Sequence, residues 1–461
     1  MFTATGSINA AAKAAGVTHW MARGVLVDAG LVSPVRQARG KPDAKVRFFE
    51  LLSADTQAEP QRRAEVDLDH HSAEFREDPY GRFRDMRESG CPVAHSDHYD
   101  GFWALTDYSS VFDAARDDDL FNSYPSVGVP ASGMPFPILP IESDPPHTQE
   151  LREVTLRQFS PGSAERARDM AVAMTDAAID EFIERGTCDI VAELTTPLPA
   201  RLILRLLNWD ESRAMDWVGW VHTTVHERAH DADKAAVAGM ELFGEITKQI
   251  EQRRAEGLGD DLFSDILRGT LDGQPLDDIQ VTMYGFLMML GGMDTTSGFT
   301  GNVLLRLCQD PDLRSQLIAD PTLIKKGTDE LLRLFTPTLG LARTVSRDAE
   351  FHGQPMCKGD PAIVMWAAAN RDPAVFDDPD TLDLSRANAK KQMAFGVGIH
   401  RCLGSHYAKL MFQVMVTQIL ERLPDFELDG QFERFTDAGE VHAVRKLPIK
   451  FTPGSRKGRH T

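Results

Sequence analysis

A ten-residue segment near the carboxyl end carries the side chains best suited to chemistry. It reads Phe-Gly-Val-Gly-Ile-His-Arg-Cys-Leu-Gly from Phe395 to Gly404. Glycine adopts positive φ without strain, so Gly396 and Gly398 permit a tight turn that aims backbone N–H groups at the sulfur of Cys402. A helix that begins near the cysteine would add its positive N-terminal dipole, and both effects favour the thiolate, which binds metal. The alternative is a buried structural cysteine in a loop.

A second segment, Gly-Gly-Met-Asp-Thr-Thr at 291–296, lies in a buried helix predicted over about 277–309. Gly291 and Gly292 each cost about 1 kcal/mol relative to alanine. They permit close approach of a flat ligand and a local opening of the hydrogen-bond ladder. Asp294 places a carboxylate in an apolar stretch, where it is costly without a partner, and such a group is a candidate functional residue. The alternative is a pair of helix-packing glycines beside a satisfied aspartate.

Glu330 and Arg333 form a less specific pattern, in a helix predicted over about 322–335. Side chains three residues apart share a helix face, so this carboxylate and guanidinium can pair. Exposed helices carry many such pairs, and the spacing alone does not distinguish a buried charge network from surface charge.

A competing pattern, His-Glu-Arg-Ala-His at 226–230, matches the zinc-protease motif, in which two histidines share a helix face. Glu241 or Glu245 would then supply a third ligand. Arg228 lies between the two histidines, where zinc sites are usually uncharged, and His222 extends the same stripe. These features favour a solvated helix face over a zinc site.

The order and spacing of three motifs resemble those of the cytochrome P450 family, the haem-thiolate monooxygenases. Gly-Gly-x-Asp-Thr-Thr is followed by Glu-x-x-Arg and then by Phe-Gly-x-Gly-x-His-x-Cys-x-Gly. The resemblance covers about residues 66–461 and includes Cys-Pro-Val-Ala-His-Ser-Asp at 91–97, Asp-Pro-Pro at 144–146, Ala-Asn-Arg-Asp-Pro at 369–373 and Asp-Leu-Ser-Arg at 383–386. It implies the cytochrome P450 fold, mainly helical with small β-sheets (α+β), with haem b between the long helix and the cysteine loop.

The resemblance also implies a role for each matching residue. Cys402 would be the axial thiolate ligand of the haem iron, with Phe395 packed near the sulfur. Asp294 and Thr295 would relay protons to iron-bound dioxygen. The other expected haem contacts are Arg152, Arg343 and His400 on the propionates, and Gly291, Gly292, Gly396, Gly398 and Gly404. A structural charge network behind the haem would comprise Glu330, Arg333 and Arg386.

One position departs from the family pattern. Bacterial members often have a histidine four residues before the propionate-binding arginine, and Thr148 occupies that position here. His147 lies one residue earlier, so His147 and Thr148 are both candidates for this haem contact, while Arg152 keeps its place.

The implied reaction inserts one oxygen atom of O2 into an apolar substrate, by hydroxylation or O-dealkylation of a terpenoid, aromatic or steroid-like compound. Residues 121–146 contain seven prolines, which exclude regular structure, and the loop 121–143 is an expected pocket wall. A lid near 205–230 and segments 287–290 and 338–342 are the other expected walls. Candidate pocket residues are Ile138, Leu139, Leu287, Leu290, Thr338, Leu339 and Leu341, and their apolar character indicates an apolar ligand.

Composition is that of a globular protein, with 461 residues of which 42% are hydrophobic and 26% charged. Five scattered cysteines without a C-x-x-C pair disfavour a disulfide framework or structural zinc and indicate a reducing cytoplasm. A net charge of −19 argues against nucleic acid or anionic lipid as the main partner. The most apolar run, 281–293, is shorter than the roughly 18 residues that a membrane span needs.

Electrons are expected from a separate ferredoxin and its reductase, because the sequence carries no flavin or ferredoxin module. Basic side chains near the cysteine motif are candidates for a docking patch on the ferredoxin. They are Arg157, Lys390, Lys391, Arg401 and Lys409.

The first 50 residues differ from the rest, with seven Lys/Arg against three Asp/Glu. Residues 1–52 resemble a winged helix-turn-helix module, 53–65 a polar linker, and 66–461 form the monooxygenase domain. The positive module could contact DNA phosphates or serve only as a helical packing unit. An alternative function is therefore a haem- or ligand-binding regulator that uses this module on DNA.

Overall fold

The structure is a computed structural model that describes residues 63–227, 231–437, 439 and 441–458. The helix-turn-helix module predicted at 1–52 lies outside these residues, as does most of the predicted linker at 53–65. Ala64 and Glu65, at the end of that linker, pair with the backbone of His95 and so extend the edge of a sheet.

The described chain is mainly helical with small β-sheets, as the sequence predicts. The helices are α1 Ala73–Glu77, α2 Pro79–Glu88, α3 Tyr108–Ala114, α4 His147–Leu156, α5 Pro161–Arg166, α6 Arg168–Asp180, α7 Pro197–Leu207, α8 Ala214–His226, α9 Ala232–Glu256, α10 Leu262–Arg268, α11 Asp278–Gln309, α12 Pro311–Ala319, α13 Thr322–Lys326, α14 Thr328–Leu334, α15 Trp366–Ala369 and α16 Ser405–Arg422. The strands are β1 Val93–Ser96, β2 Phe102–Leu105, β3 Phe121–Asn122, β4 Thr187–Asp189, β5 Thr270–Leu271, β6 Gln274–Pro275, β7 Leu341–Val345, β8 Ala349–Phe351, β9 Gln354–Met356, β10 Pro361–Val364, β11 Glu427–Leu428, β12 Glu433–Arg434, β13 Val444–Lys446 and β14 Pro448–Lys450.

Helix α11 runs through the middle of the helical layer and packs against α7, α8, α9 and α16. Its start is fixed by a capping box, in which Asp277 accepts from the Gln280 N–H and the Gln280 side chain accepts from the Asp277 N–H. A helix with apolar side chains on nearly every face is stable only when neighbours cover it on all sides. The glycine-rich segment 291–296 is therefore held at the centre of the fold.

The largest sheet has five strands in the order β1-β2-β10-β7-β3. Strand β10 is parallel to β2 and antiparallel to β7. Strand β7 carries Arg343, and the chain after β3 follows an irregular course from 123 to 146 before α4. The proline-rich segment contains no helix or strand beyond β3, as its proline content predicts. The sheet and this segment together bring Arg343 and α4 to the same edge of the helical layer.

The structure differs from the sequence-based expectation in three elements. The helix predicted over 322–335 is two helices, α13 and α14, because the chain turns at Gly327, where a Cβ would lie 2.6 Å from Leu384. The sequence also predicts a strand from Tyr99 to Leu105. This strand begins only at Phe102, since Tyr99 has a φ of 55° in a 3-10 turn. The sequence predicts an irregular segment over 354–400, but this segment contains β9, β10 and α15.

Among the residues that the structure describes, no helix is both long enough and apolar enough to cross a bilayer.

Candidate active site

A cavity lies between α11 and the loop that leads into α16. Helix α11 lines it with Gly291 and Thr295, and the loop lines it with Phe395 and Cys402. Helix α7, the proline-rich segment and the residues around Thr338 complete the walls. The fold thus brings together the two motifs that are more than 100 residues apart in the chain.

The thiol of Cys402 lines this cavity and is exposed to it. Desolvation by the surrounding protein atoms raises the pKa of the thiol, and the backbone N–H of Gly404, the charge of Arg152 and the N–H of Ser405 oppose that rise. The N–H of Cys402 itself donates to the carbonyl oxygen of Phe395 at 2.8 Å. The loop therefore points hydrogen-bond donors at the sulfur, and a bound metal ion would supply the further positive charge that a stable thiolate requires.

The helix after the cysteine begins three residues later than the sequence indicates. Gly404 is the N-cap of α16, and Ser405 is its first residue. A 3-10 turn at Gly398–His400 precedes the cysteine. Because the N–H groups of Gly404 and Ser405 still lower the pKa of the thiol, the helix N-terminus acts on Cys402 despite the offset.

The two glycines of the loop have the positive φ that the sequence predicts, 64° at Gly396 and 76° at Gly398. A Cβ on Gly398 would lie 2.3 Å from the carbonyl oxygen of Ala115, so the loop lies directly against the end of α3. A Cβ on Gly396 would meet the Trp366 ring at 3.7 Å. Gly398 therefore serves both the turn and a close backbone contact, and no residue with a side chain meets both needs.

Three basic side chains line one edge of the cavity without a carboxylate partner among the described residues: Arg152, Arg343 and His400. Arg343 donates only to the carbonyl of Ala342, and burial lowers its pKa to about 10 against the opposing charge of Asp144. Burial, followed by the charges of Arg343 and Arg152, lowers the pKa of His400 to about 3. The His400 Nε2 is buried without a hydrogen-bond partner in the described part of the chain. Anionic oxygens at this edge would satisfy all three groups.

The two candidates at the position that departs from the family pattern are not brought to the cavity. Thr148 is buried, and its hydroxyl donates to the carbonyl oxygen of Ser143. His147 lies at the surface with its Nε2 3.1 Å from a carboxylate oxygen of Asp272. Neither side chain lines the cavity, whereas Arg152, in the same helix, does.

The adjacent glycines of α11 have different surroundings. A Cβ on Gly291 would meet no protein atom within 4 Å, so this face of the helix is open to the cavity. A Cβ on Gly292 would lie 3.2 Å from Ile203 of α7, which makes it mainly a packing position. The helix is continuous here, so the local opening that glycines permit is not present. Thr295 lines the cavity and donates to the carbonyl oxygen of Gly291 at 3.1 Å.

Asp294 lies on the side of α11 away from the cavity lining, against α8. Its Oδ1 is 2.7 Å from the Nε2 of His222, and its Oδ2 is 2.9 Å from the Nε2 of His226. Burial raises the pKa of Asp294, but the hydrogen bonds from both histidines outweigh it and hold the pKa well below its usual range. The interpretation of His222 and His226 as a solvated helix face is therefore wrong, since both rings turn inward to a buried carboxylate.

The zinc-protease pattern is not assembled in the described residues. His226 is the last residue of α8 and bonds Asp294, while His230 lies outside the described residues. Glu241 accepts from the Trp220 indole N–H, and Glu245 pairs with Arg213 at 2.7 Å. No group of three or more His, Cys, Asp or Glu side chains in the described ranges has an arrangement that could hold a metal ion.

Glu330, Arg333 and Arg386 come together behind the cysteine loop. Arg333 makes a two-point contact with Glu330, with N···O distances of 2.7 and 2.9 Å, and both side chains are fully buried. Arg386 donates to the same carboxylate at 3.0 Å. Arg333 also donates to the carbonyl oxygens of Asn370 and Pro379. The guanidinium thus ties α14 to the long irregular segment that leads to Cys402.

Three of the seven predicted pocket residues line the cavity: Leu287, Thr338 and Leu341. Ile138, Leu139, Leu290 and Leu339 do not, although Ile141 of the same proline-rich segment does. Sequence reasoning missed Leu202 and Ile203 of α7, because a helix with apolar residues at this spacing resembles any core helix. Of the described part of the lid expected near 205–230, only Leu206 lines the cavity.

Comparison with known proteins gives the family. The sequence profile described as Cytochrome P450 matches residues 208–451, more than half of the chain. The chain belongs to the cytochrome P450 family. This P450 is 31% identical over 360 residues to the Steroid C26-monooxygenase of Mycolicibacterium smegmatis. The aligned region covers 77% of this chain and 89% of that protein. It is 29% identical over 398 residues to Cytochrome P450 107B1 of Saccharopolyspora erythraea, covering 83% of this chain and 96% of that protein.

Solved structures of the family share the fold. The crystal structure of CYP108D1 from Novosphingobium aromaticivorans superposes on this P450 with a TM-score of 0.73 and 26% identity, covering 82% of this chain and 95% of that one. A mutant of P450 EryK in complex with erythromycin B gives a TM-score of 0.74 and 26% identity, covering 82% and 97%.

Members of the family bind haem through a cysteine thiolate, and the residues of this site fit that group. Cys402 supplies the thiol, and the bare face of Gly291 leaves room for a flat ring. Arg152, Arg343 and His400, which have no carboxylate partner among the described residues, suit the two propionates. Haem held there by Cys402 would supply the activation of O2, since a thiolate ligand favours cleavage of the O–O bond. This P450 is a haem-thiolate monooxygenase that acts on an apolar small molecule with O2 and redox partners.

Proposed function

We propose that this P450 hydroxylates a neutral, steroid-sized substrate with electrons from a separate ferredoxin and its reductase. The observation that carries the substrate class is the wall opposite the cysteine loop. Leu202, Ile203 and Leu287 form much of it, and its hydroxyl groups come from Thr295, Thr296 and Thr338. Such a wall binds apolar surface and positions a small number of polar substrate groups.

A negatively charged substrate fits this wall poorly. The basic side chains of the cavity lie at the edge assigned to the haem propionates, which would neutralise them. Asp294, buried in the same helix as Thr295, adds negative charge close to the wall. Burying a carboxylate without a partner is costly, so a neutral ligand is favoured. The name of the Mycolicibacterium smegmatis relative, Steroid C26-monooxygenase, supports a steroid-like skeleton.

Two steroids that differ only at the end of an aliphatic side chain test this proposal. We expect the neutral compound to shift the haem absorption from low spin to high spin, with a dissociation constant at least about tenfold lower than that of its side-chain carboxylate, because the wall offers no cation to the acid. Both constants come from titrations of the same holoenzyme. Preference for the carboxylate, or no shift with any steroid while terpenoids produce one, would contradict the substrate class.

The ferredoxin proposal rests on exposed positive charge near the cysteine loop. Lys390, Lys391 and Arg401 are exposed and have no carboxylate partner among the described residues. Lys409 is instead paired with Asp329, and Arg157 with Asp260 and Asp265. An acidic ferredoxin would meet complementary positive charge there, although the net charge of this P450 is negative. We place this exchange in the cytoplasm, in keeping with five free cysteines.

Charge reversal at Lys391 tests the docking patch. We expect Lys391→Glu to slow reduction of the haem by an acidic ferredoxin roughly threefold to tenfold at low salt, with the difference disappearing at high ionic strength. Lys358→Glu is the matched control, since Lys358 is also an exposed lysine and lies in the turn between β9 and β10. Stopped-flow reduction rates measure both, and equal slowing by the two variants would place the docking surface elsewhere.

A further inference from the structure

The carboxylate of Asp294 is held by two imidazoles from one helix. His222 and His226 lie four residues apart on α8, and each Nε2 meets a different oxygen of Asp294. The depressed pKa of Asp294 keeps the carboxylate ionised, and an ionised carboxylate only accepts hydrogen bonds. Both Nε2 atoms therefore carry hydrogen, and Nδ1 is the nitrogen of each ring that faces elsewhere.

The two rings differ in their access to water. The His226 side chain is 4% exposed, its Nδ1 is buried without a partner among the described residues, and its ring stacks on Phe435 at 4.3 Å between centroids. The His222 side chain is 24% exposed and meets the edge of Phe435 at 5.3 Å. Water can therefore exchange a proton with His222 far more readily than with His226.

Oxygen insertion consumes protons in the cavity next to Thr295. For each molecule hydroxylated, two electrons and two protons reduce the second oxygen atom of O2 to water. Thr295 lines the cavity, and Asp294, its neighbour in the chain, is shielded from solvent. A buried carboxylate can donate repeatedly only if another group returns protons to it.

We propose that His222 is the group through which protons enter from solvent to Asp294, and that His226 is a positioning residue that holds the second carboxylate oxygen. This inference rests on the proposed function. Water protonates Nδ1 of His222; the Nε2–H bond of the imidazolium then breaks as an O–H bond forms at Oδ1 of Asp294. Neutral imidazole with hydrogen on Nδ1 and a carboxylic acid result, and no electron moves. Asp294 passes the proton toward Thr295, and rotation of the partly exposed ring with exchange to water restores the Nε2–H.

The surroundings of His222 leave few other groups for this task. Among the described residues, Asp294 from α11 and His226 from its own helix are the titratable groups in contact with it. The segment after β12 presents only the apolar ring of Phe435. Imidazole can accept a proton on one ring nitrogen and release one from the other, so His222 can link solvent to Asp294.

The test compares His222→Gln with His226→Gln in the holoenzyme. A glutamine amide can still donate to Asp294 but cannot relay a proton. We expect His222→Gln to lower product formation at least about tenfold and to raise the solvent deuterium isotope effect. His226→Gln should keep the isotope effect of the unaltered enzyme, with product formation within about threefold of it. The control is His98→Gln, which alters a surface histidine paired with Asp67 at 2.7 Å.

A second measurement does not depend on turnover. In protein labelled with 15N at histidine, reduced and bound to carbon monoxide so that it is diamagnetic, ring NMR signals report which nitrogen carries hydrogen. We expect hydrogen on Nε2 of both rings, with faster exchange to solvent at His222 than at His226. Slower exchange with solvent at His222 than at His226 would overturn the proton-entry role. So would an equal loss of product formation and an equal isotope effect in His222→Gln and His226→Gln. Failure of the proposed function is separate, because it would appear in the unaltered enzyme as a missing thiolate–haem spectrum or a missing steroid shift.

Discussion

Replacing Cys402 with serine is expected to abolish hydroxylation and to change the haem spectrum. Cys402 supplies the cavity's thiol, and Gly404, Arg152 and Ser405 provide the donors and charge that stabilise its thiolate. A serine hydroxyl is far less acidic and does not replace a thiolate as the electron-donating ligand. Product formation should fall at least about a hundredfold, which is the upper end of what the loss of an outer partner of a metal ligand costs.

Cys357→Ser is the matched control for this substitution. Cys357 is a free, exposed cysteine in the turn before β10, remote in sequence from the loop motif. It should keep the spectrum and turnover of the unaltered enzyme. A Cys402→Ser protein that retained both would show that another residue ligates the iron.

Replacing Arg333 with methionine is expected to give the second large effect, a loss of folding stability and of bound haem. The substitution leaves Glu330 buried with Arg386 as its remaining cation and frees the carbonyl oxygens of Asn370 and Pro379. Breaking a buried ion pair by removing one partner costs about 3–5 kcal/mol, a large part of the stability of a typical domain. Urea unfolding and the haem-to-protein absorbance ratio measure the two losses.

Arg168→Met provides the comparison at the same spacing along the chain. Arg168 and Glu165 are also three residues apart and ion-paired, but the pair is exposed. Exposed pairs contribute about 0–1 kcal/mol, so this variant should unfold close to the unaltered protein. If Arg333→Met lost no more stability than Arg168→Met, the buried network would not be what secures the cysteine loop.

The parts of the site that sequence reasoning reached are those whose geometry is local. Gly396 and Gly398 precede Cys402 by only a few residues, and the need for positive φ can be read from residue type. The long buried helix was predicted because its apolar residues cover nearly all faces, and its capping residue Asp277 is adjacent to its start. The mainly helical fold with small sheets followed from the same patterns.

Contacts between residues that are far apart in the sequence were not predicted. Histidines four residues apart look the same on a solvated face as they do on a buried one, and their partner Asp294 is 68 residues beyond His226. Strand β10 was missed because it is stabilised by β2, more than 250 residues earlier, rather than by its own sequence pattern. Leu202 and Ile203 were missed as cavity residues because nothing in an apolar helix marks which side chains face a cavity.

The most direct test of the central claim is the absorption spectrum of the purified protein after reduction and exposure to carbon monoxide. Thiolate ligation by Cys402 predicts a strongly red-shifted Soret band that Cys402→Ser lacks. Bound haem without that shift would contradict thiolate ligation, and well-folded protein that takes up no haem would contradict the assignment of the cavity as a haem site.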